Sequence, residues 1–182
     1  MKFEDLMIEP KPAMAAQAEI LENRLVAIRN RDRQQNAAKI IEQDAHRRES
    51  VTRFRGVNFV NDSKSESINA TYFCLKTLPA DIVWIAGGDD KAINYQELTP
   101  LVLEKVKALI CIGTDNSRLI ESFEQYVQPI YQCRNMEEAV RKAFYAAKQG
   151  DTVLLSAASP CGTEFENYQE RGNAFKKAIA QL

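Results

Sequence analysis

Two short apolar runs in this 182-residue chain stop abruptly in charged and small residues. Val57-Asn58-Phe59-Val60 leads into Asn61-Asp62-Ser63-Lys64, and Ile82-Val83-Trp84-Ile85-Ala86 leads into Gly87-Gly88-Asp89-Asp90-Lys91. Each polar cluster offers an Asp and a Lys, which suits a charged ligand such as a nucleotide or an amino acid. A third cluster, Ser156-Ala157-Ala158-Ser159-Pro160-Cys161-Gly162, and a fourth, Gly113-Thr114-Asp115-Asn116, also follow apolar runs. Strands have to end in turn formers, and any one cluster alone reads as no more than that. Three on one edge, two of them with a lysine, point to a ligand site. Arg171 adds a guanidinium suited to forked binding of phosphate or carboxylate. An exposed arginine at a helix start is its equal alternative.

Other reactive residue types carry less. His46 is the single histidine, set in the polar run Asp44-Ala45-His46-Arg47-Arg48-Glu49. The expectation is a surface residue, and no second ligand supports a metal site. Cys161 has no histidine near it in sequence, so a neutral lining residue is expected rather than a nucleophile. The four cysteines, Cys74, Cys111, Cys133 and Cys161, form no CxxC pair; Cys74 and Cys111 read as buried thiols. Neither GxxxxGK[ST] nor GxGxxG occurs, so a bound nucleotide would take most of its phosphate contacts from elsewhere.

The elements that must position these residues alternate. Val51–Arg55 and Val57–Val60, separated by Gly56, form a bent strand or a tight pair. A helix is expected over Ser67–Leu78, a strand over Ile82–Ala86, a helix over Leu98–Val106 and a strand over Ala108–Ile112. A helix over Asn116–Tyr126 and a short strand over Pro129–Tyr131 follow. Asn135 is a good N-cap for a helix over Met136–Lys148, with Glu138 at the capping-box position and Gly150 as the stop. Val153–Leu155 is a buried strand, and a last helix carries Phe175 and Ile179. Strands alternating with helices of this length imply an α/β fold, a doubly wound and mostly parallel sheet. In such sheets ligands bind at the strands' carboxyl ends.

The first fifty residues differ. They hold no glycine, and Met14, Ala18, Leu21, Leu25 and Ile28 make one apolar helical stripe with Pro12 near its start. A more polar helix is expected over Asp32–Gln43. Arg24, Arg29, Arg31 and Arg33 between them read as a solvated surface. A formal net charge of -1 argues against a general nucleic-acid binder. No apolar stretch is long enough to span a bilayer, and Met1–Leu6 lacks the apolar core of a signal peptide. The simplest expectation is a reduced, cytoplasmic, soluble protein with neither nucleic acid nor membrane as partner.

Val57–Lys64, Ile82–Lys91, Lys107–Asn116, Met136–Ala139 and Gly150–Phe175, in this order, resemble the carboxyl-terminal domain of the Mur ligases, most of all the D-glutamate-adding branch. Residues 50–182 would be that Rossmann-like domain. Residues 1–49 would be a helical remnant of the family's central ATPase domain, with His46-Arg47 and Glu49 at its His-Arg linker. The family's enzymes use ATP and Mg2+ to activate a substrate carboxylate, which an incoming amino group then attacks. The resemblance implies catalytic roles for Lys64 and Arg171, and nucleotide contacts from His46, Arg47 and Asp62. It implies D-glutamate contacts from Lys91, Tyr168, Cys161 and Glu66, and no metal ligand here. The implied substrates are UDP-N-acetylmuramoyl-L-alanine and D-glutamate, and the implied partners are the missing ligase domains.

The chain also departs from the family's pattern. Where the family continues Ala-Thr-Asn after the lysine, this chain has Ser65-Glu66-Ser67, and Glu66 would repel a dicarboxylate. Cys161 stands where a substrate-binding serine is expected. Without a UDP-sugar domain, a phosphate loop or central-domain magnesium residues, the chain alone is expected neither to catalyse the full reaction nor to hold a cofactor. Two alternatives stay open: a stand-alone binding or regulatory module, and a related ligase adding another amino acid, as the folylpolyglutamate synthase relatives do.

Overall fold

The computed structural model describes residues 45–89 and 93–182. The chain divides into two compact units, Met1–Gln43 and Asp44–Leu182. The helices expected over Pro12–Gln43 lie outside the described residues, as do Asp90, Lys91 and Ala92. The division falls before the Asp44–Glu49 run rather than after Glu49, because His46 and Glu49 hydrogen-bond into the second unit.

Six strands form one sheet: β1 (Glu49–Phe54), β2 (Val57–Asn61), β3 (Ile82–Ala86), β4 (Val106–Ile112), β5 (Ile130–Cys133) and β6 (Thr152–Leu155). Their order is β1-β2-β6-β3-β4-β5. β1 and β2 pair antiparallel as a hairpin closed at Arg55-Gly56, which resolves the bent strand or tight pair in favour of the pair. Every other pairing is parallel. Five α-helices cover this sheet: α1 (Ile68–Thr77), α2 (Thr99–Lys105), α3 (Ser117–Phe123), α4 (Met136–Ala146) and α5 (Tyr168–Ile179). A 3-10 turn over Tyr95–Leu98 leads into α2, so the helix expected from Leu98 begins in a tighter coil. α4 stops at Ala146 and Gly150 lies in the turn beyond it, because Ala147 already takes an extended backbone.

The central strands are apolar on both faces, as a sheet sandwiched between helices requires. Trp84, Leu109, Cys111 and Leu154 face one core, with Leu75 of α1, Val102 of α2 and Phe123 of α3. Val83, Ile85, Ile110 and Val153 face the other, with Val140 of α4 and Phe175 of α5. Right-handed crossovers explain the division. From β2 through β5 the chain moves one way across the sheet and its helices share one face. α4 carries it back to β6, between β2 and β3, and so lies on the opposite face. The loops leaving β2 and β6 therefore part to opposite sides, opening a crevice at the carboxyl ends of those strands.

Candidate functional site

Because β2, β6, β3 and β4 are adjacent and parallel, the loops after them share one rim. Asp62 N donates to Leu155 O at 2.7 Å and Ala158 N to Ser65 O at 3.2 Å. Gly87 N donates to Ala157 O and Asp89 N to Pro160 O, each at 3.0 Å. Gly88 has φ +152°, and a Cβ there would overlap Pro160 O, so the β3 and β6 loops meet only because this residue has no side chain. The fourth cluster belongs to the same rim, since a Cβ on Gly113 would stand 3.0 Å from Gly88 O. Lys91 lies outside the described residues.

Asp62 is buried at the mouth of the crevice. Its Oδ1 accepts from Arg48 N at 3.0 Å and its Oδ2 from Ser156 Oγ at 3.0 Å. Ser156 Oγ also meets Thr71 Oγ1 at 2.9 Å, and Ser156 O accepts from the Trp84 indole at 2.7 Å. One buried polar chain thus ties β2, β6, β3, α1 and the linker together. Beside it opens a cavity of about 350 Å³ lined by Arg47, Arg48, Asp62, Ser65, Phe73 and Cys74. Arg47 and Arg48 are exposed, and neither forms an ion pair among the described residues. The 64% exposed Phe73 ring offers this cavity an apolar wall.

His46 is not on the surface as expected: it is only 7% exposed. Its Nδ1 faces Asn61 Nδ2 at 3.0 Å and Ser63 Oγ at 3.3 Å. Asn61 Oδ1 accepts from Ser63 N, so the amide nitrogen must face the imidazole, and Nδ1 is an acceptor. Burial, then the charge of Lys176, pushes the imidazole below its ordinary pKa; Glu49 opposes them, and Lys64 adds to the lowering. His46 therefore anchors the linker, and its carbonyl accepts from Lys64 N at 3.0 Å. Lys64 itself is half-buried, with its Nζ 5.7 Å from the centre of the Tyr168 ring. Tyr168 also meets the His46 ring edge-on at 6.0 Å. The structure thus brings together three residues from distant parts of the sequence.

Arg171 is neither exposed nor ahead of the last helix. It lies within α5, and its side chain is fully buried. Nη2 donates to Ser63 O at 2.8 Å and to Glu66 Oε1 at 3.1 Å, while Nη1 reaches Ser159 O at 3.4 Å. The guanidinium therefore bridges the β2 and β6 loops. The Cys161 thiol donates to the same Glu66 oxygen at 3.1 Å. Burial, with the Glu66 carboxylate, pushes that thiol up to about 11, so it stays protonated and is no nucleophile at neutral pH. The two positions that depart from the family's pattern are thus in contact with each other.

Sequence reading placed Asn61 and Ser156 in the rim clusters and Glu49 at the linker without giving them individual roles, and it missed Lys176. A polar residue closing a buried strand was a usable signal for Asn61 and Ser156. Nothing local links Glu49 to Lys176, whose charged atoms lie 3.2 Å apart across the sheet edge. Among the described residues no group of three His, Cys, Asp or Glu is placed to hold a metal ion.

An α/β domain with its ligand-ready rim at a crevice between parallel strands is the class this architecture defines. Residues 46–159 match the family model described as Mur ligase, glutamate ligase domain. The chain is 43% identical over 137 residues to the UDP-N-acetylmuramoylalanine--D-glutamate ligase of Christiangramia forsetii, covering 75% of this chain and 31% of that protein. The enzymes of the same name from Porphyromonas gingivalis and Cytophaga hutchinsonii are each 39% identical, over 75% of this chain and 30% of theirs. The chain belongs to the Mur ligase family, by its glutamate ligase domain, and spans less than a third of the length of these relatives. Solved structures share the fold. A bifunctional folylpolyglutamate synthase/dihydrofolate synthase from Yersinia pestis, complexed with AMPPNP and a Mn ion, superposes with TM-score 0.51 at 18% identity, over 75% of this chain and 31% of that one. UDP-N-acetylmuramate-alanine ligase of Thermotoga maritima gives 0.50 at 11% identity, over 75% and 30%.

Proposed function

We propose that this chain is the carboxyl-terminal domain of an ATP-dependent ligase that adds D-glutamate to UDP-N-acetylmuramoyl-L-alanine in peptidoglycan precursor synthesis. The observation carrying this reading is the shared rim, where the loop holding Asp62 and Lys64 is tied to Leu155 and to Arg171, in a chain 43% identical to an enzyme of that name. The rim is one wall of the active site, and the other domains of the ligase are its partners.

Lys64 is the catalytic cation: its ammonium lies over the Tyr168 ring, and no carboxylate among the described residues pairs with it. Arg171, whose guanidinium donates to Ser63 O and Ser159 O, positions these two loops. The cavity beside Asp62 fits one end of an adenine nucleotide, with Arg47 and Arg48 for phosphate charge and Phe73 for an apolar surface. Asp62 orients the Arg48 backbone, and His46 fixes the linker that carries both arginines. ATP, when bound, supplies the phosphoryl group that activates the carboxylate; Mg2+ ligands belong to the partner domains. Tyr168, Cys161 and Glu66 form the amino-acid side of the site, to which the family resemblance also assigns Lys91. We place the protein in the cytoplasm, in keeping with its likeness to UDP-N-acetylmuramoylalanine--D-glutamate ligases.

The test is a chimera in which residues 44–182 replace the corresponding domain of the Christiangramia forsetii ligase. It should form UDP-N-acetylmuramoyl-L-alanyl-D-glutamate and release phosphate, and Lys64→Ala should abolish both. A folded chimera that leaves D-glutamate unligated while the parent turns over would overturn the assignment. The Glu66–Cys161 contact favours a second reading, a related ligase adding another amino acid; ligation of a different amino acid by the same chimera would select it.

A further inference from the structure

We propose that Glu66 is a built-in occupant of a carboxylate-binding site whose floor is the Arg171 guanidinium, so that a ligand carboxylate and Glu66 compete for the same donors. Arg171 is fully buried and held by the carbonyls of Ser63 and Ser159, which fix its position but bring no net charge. Its sole carboxylate partner among the described residues is Glu66. Its Nε is buried with no hydrogen-bond partner, so the guanidinium has a donor to spare. Burial lowers the Arg171 pKa, a sign of how poorly water compensates that charge.

Glu66 is the solvent-accessible member of this pair. Its side chain is 36% exposed against 1% for Arg171, and it sits on the loop ahead of Ser67, the N-cap of α1. A single oxygen, Oε1, takes both the guanidinium and the Cys161 thiol, while Oε2 has no hydrogen bond among the described residues. A carboxylate anchored through one oxygen falls short of the forked pair an arginine can make. Rotating the side chain outward leaves a desolvated cation and a protonated thiol facing the vacated space, which is the donor set for a carboxylate ligand. Glu66 is thus no free negative charge repelling a dicarboxylate; it already neutralises the cation that such a ligand would need. The ligand class is a small carboxylate, and one that can also bind bidentate displaces Glu66 best.

A purely structural ion pair predicts something different. Removing its acid would strand the buried charge and destabilise the fold, and no added solute would restore it. Acetate is therefore the probe, with full-length chain observed by thermal denaturation and amide NMR. Wild type should show no saturable response. Glu66→Ala should lose stability and regain it as acetate is added, with saturable shifts at Ser63, Ser159 and Cys161 and an affinity at least about tenfold above wild type, the worth of one charge-assisted hydrogen bond. Glu66→Gln, which keeps the volume, should respond in the same direction but less. Folded variants indifferent to acetate would overturn the proposal, as would wild type binding acetate equally well or two unfolded variants that acetate does not refold.

None of these measurements involves ATP, a UDP-sugar or ligation, so an inactive chimera leaves this proposal standing and its failure leaves the ligase assignment standing. One consequence does rest on that assignment: in the chimera, Glu66→Thr should lower KM for D-glutamate.

Discussion

His46 shows how one side chain converts a family motif into architecture. Its Nδ1 accepts from Asn61, and a Cβ added to Gly172 would overlap both that nitrogen and Ser63 Oγ. Alanine is the better helix former by about 1 kcal/mol. Against that, overfilling a buried contact costs about 1–3 kcal/mol. Gly172→Ala should therefore lower the urea midpoint, despite lying inside a helix; a midpoint at or above wild type would mean the linker yields. Protonating His46 sets two donors against each other at Nδ1, in accord with a pKa held below 6.5 chiefly by burial and then by Lys176. The unfolded chain then binds the proton more readily. Stability should be complete above pH 6.5 and decline as the pH drops from there toward the lowered folded value. His46→Gln should flatten that part of the pH–stability curve, and an unchanged slope would show that another group carries it. The sequence marked His46 but put it on the surface, because what covers it comes from Gly172 and Tyr168 at the far end of the chain.

At the scale of elements, α4 and α5 begin alike. Asn135 Oδ1 accepts from Glu138 N at 2.8 Å while Glu138 Oε2 accepts from Arg134 N at 3.0 Å. Asn167 Oδ1 accepts from Glu170 N at 2.9 Å while Glu170 Oε2 accepts from Glu166 N at 2.7 Å. Replacing either asparagine by alanine should cost about 1 kcal/mol of stability in urea melts. Their consequences for the rim should differ. α5 carries Arg171, so Asn167→Ala should shift the amide resonances of Ser63–Glu66, whereas Asn135→Ala should leave them in place; equal perturbation by both would show that α5's register does not govern the rim. The first cap was legible in the sequence because an amphipathic helix follows Asn135; the second was not, since Asn167 sits among charged residues without an apolar run beside it. The strands were legible for the same reason, as Ile82–Ala86 and Val153–Leu155 are unbroken apolar runs between turn formers. The turn at Tyr95–Leu98 and the early stop of α4 were not, since neither the tighter coil ahead of α2 nor the extended backbone at Ala147 has a marker in the local composition. The convergence of the loops followed from strands alternating with helices, but Arg171 at their junction could not be read from spacing: its partners Ser63, Glu66 and Ser159 become neighbours only once β6 inserts beside β2.

On the proposed reading the unit Asp44–Leu182 presents one wall of a site, and electrostatics bounds what that wall can do by itself. The described cations facing the rim and its cavity are Arg47, Arg48 and Lys64, since Arg171 is engaged by Glu66. Exposed charge pairs are worth about 0.2–1 kcal/mol each. Three of them contribute at most about 3 kcal/mol, whereas a micromolar dissociation constant needs about 8 kcal/mol. The difference is normally made up by backbone amides cradling the phosphates, and no GxxxxGK[ST] loop occurs in these 182 residues. Calorimetry of this chain with ATP should therefore show no saturable heat at micromolar nucleotide, in the presence or absence of Mg2+. The same titration on the chimera, which adds the rest of the Christiangramia forsetii ligase, should saturate, and Arg47→Ala in that chimera should weaken binding severalfold. Micromolar ATP affinity in the chain alone would mean that the cavity beside Asp62 is a complete nucleotide site, and the division of labour between the two walls would have to be redrawn.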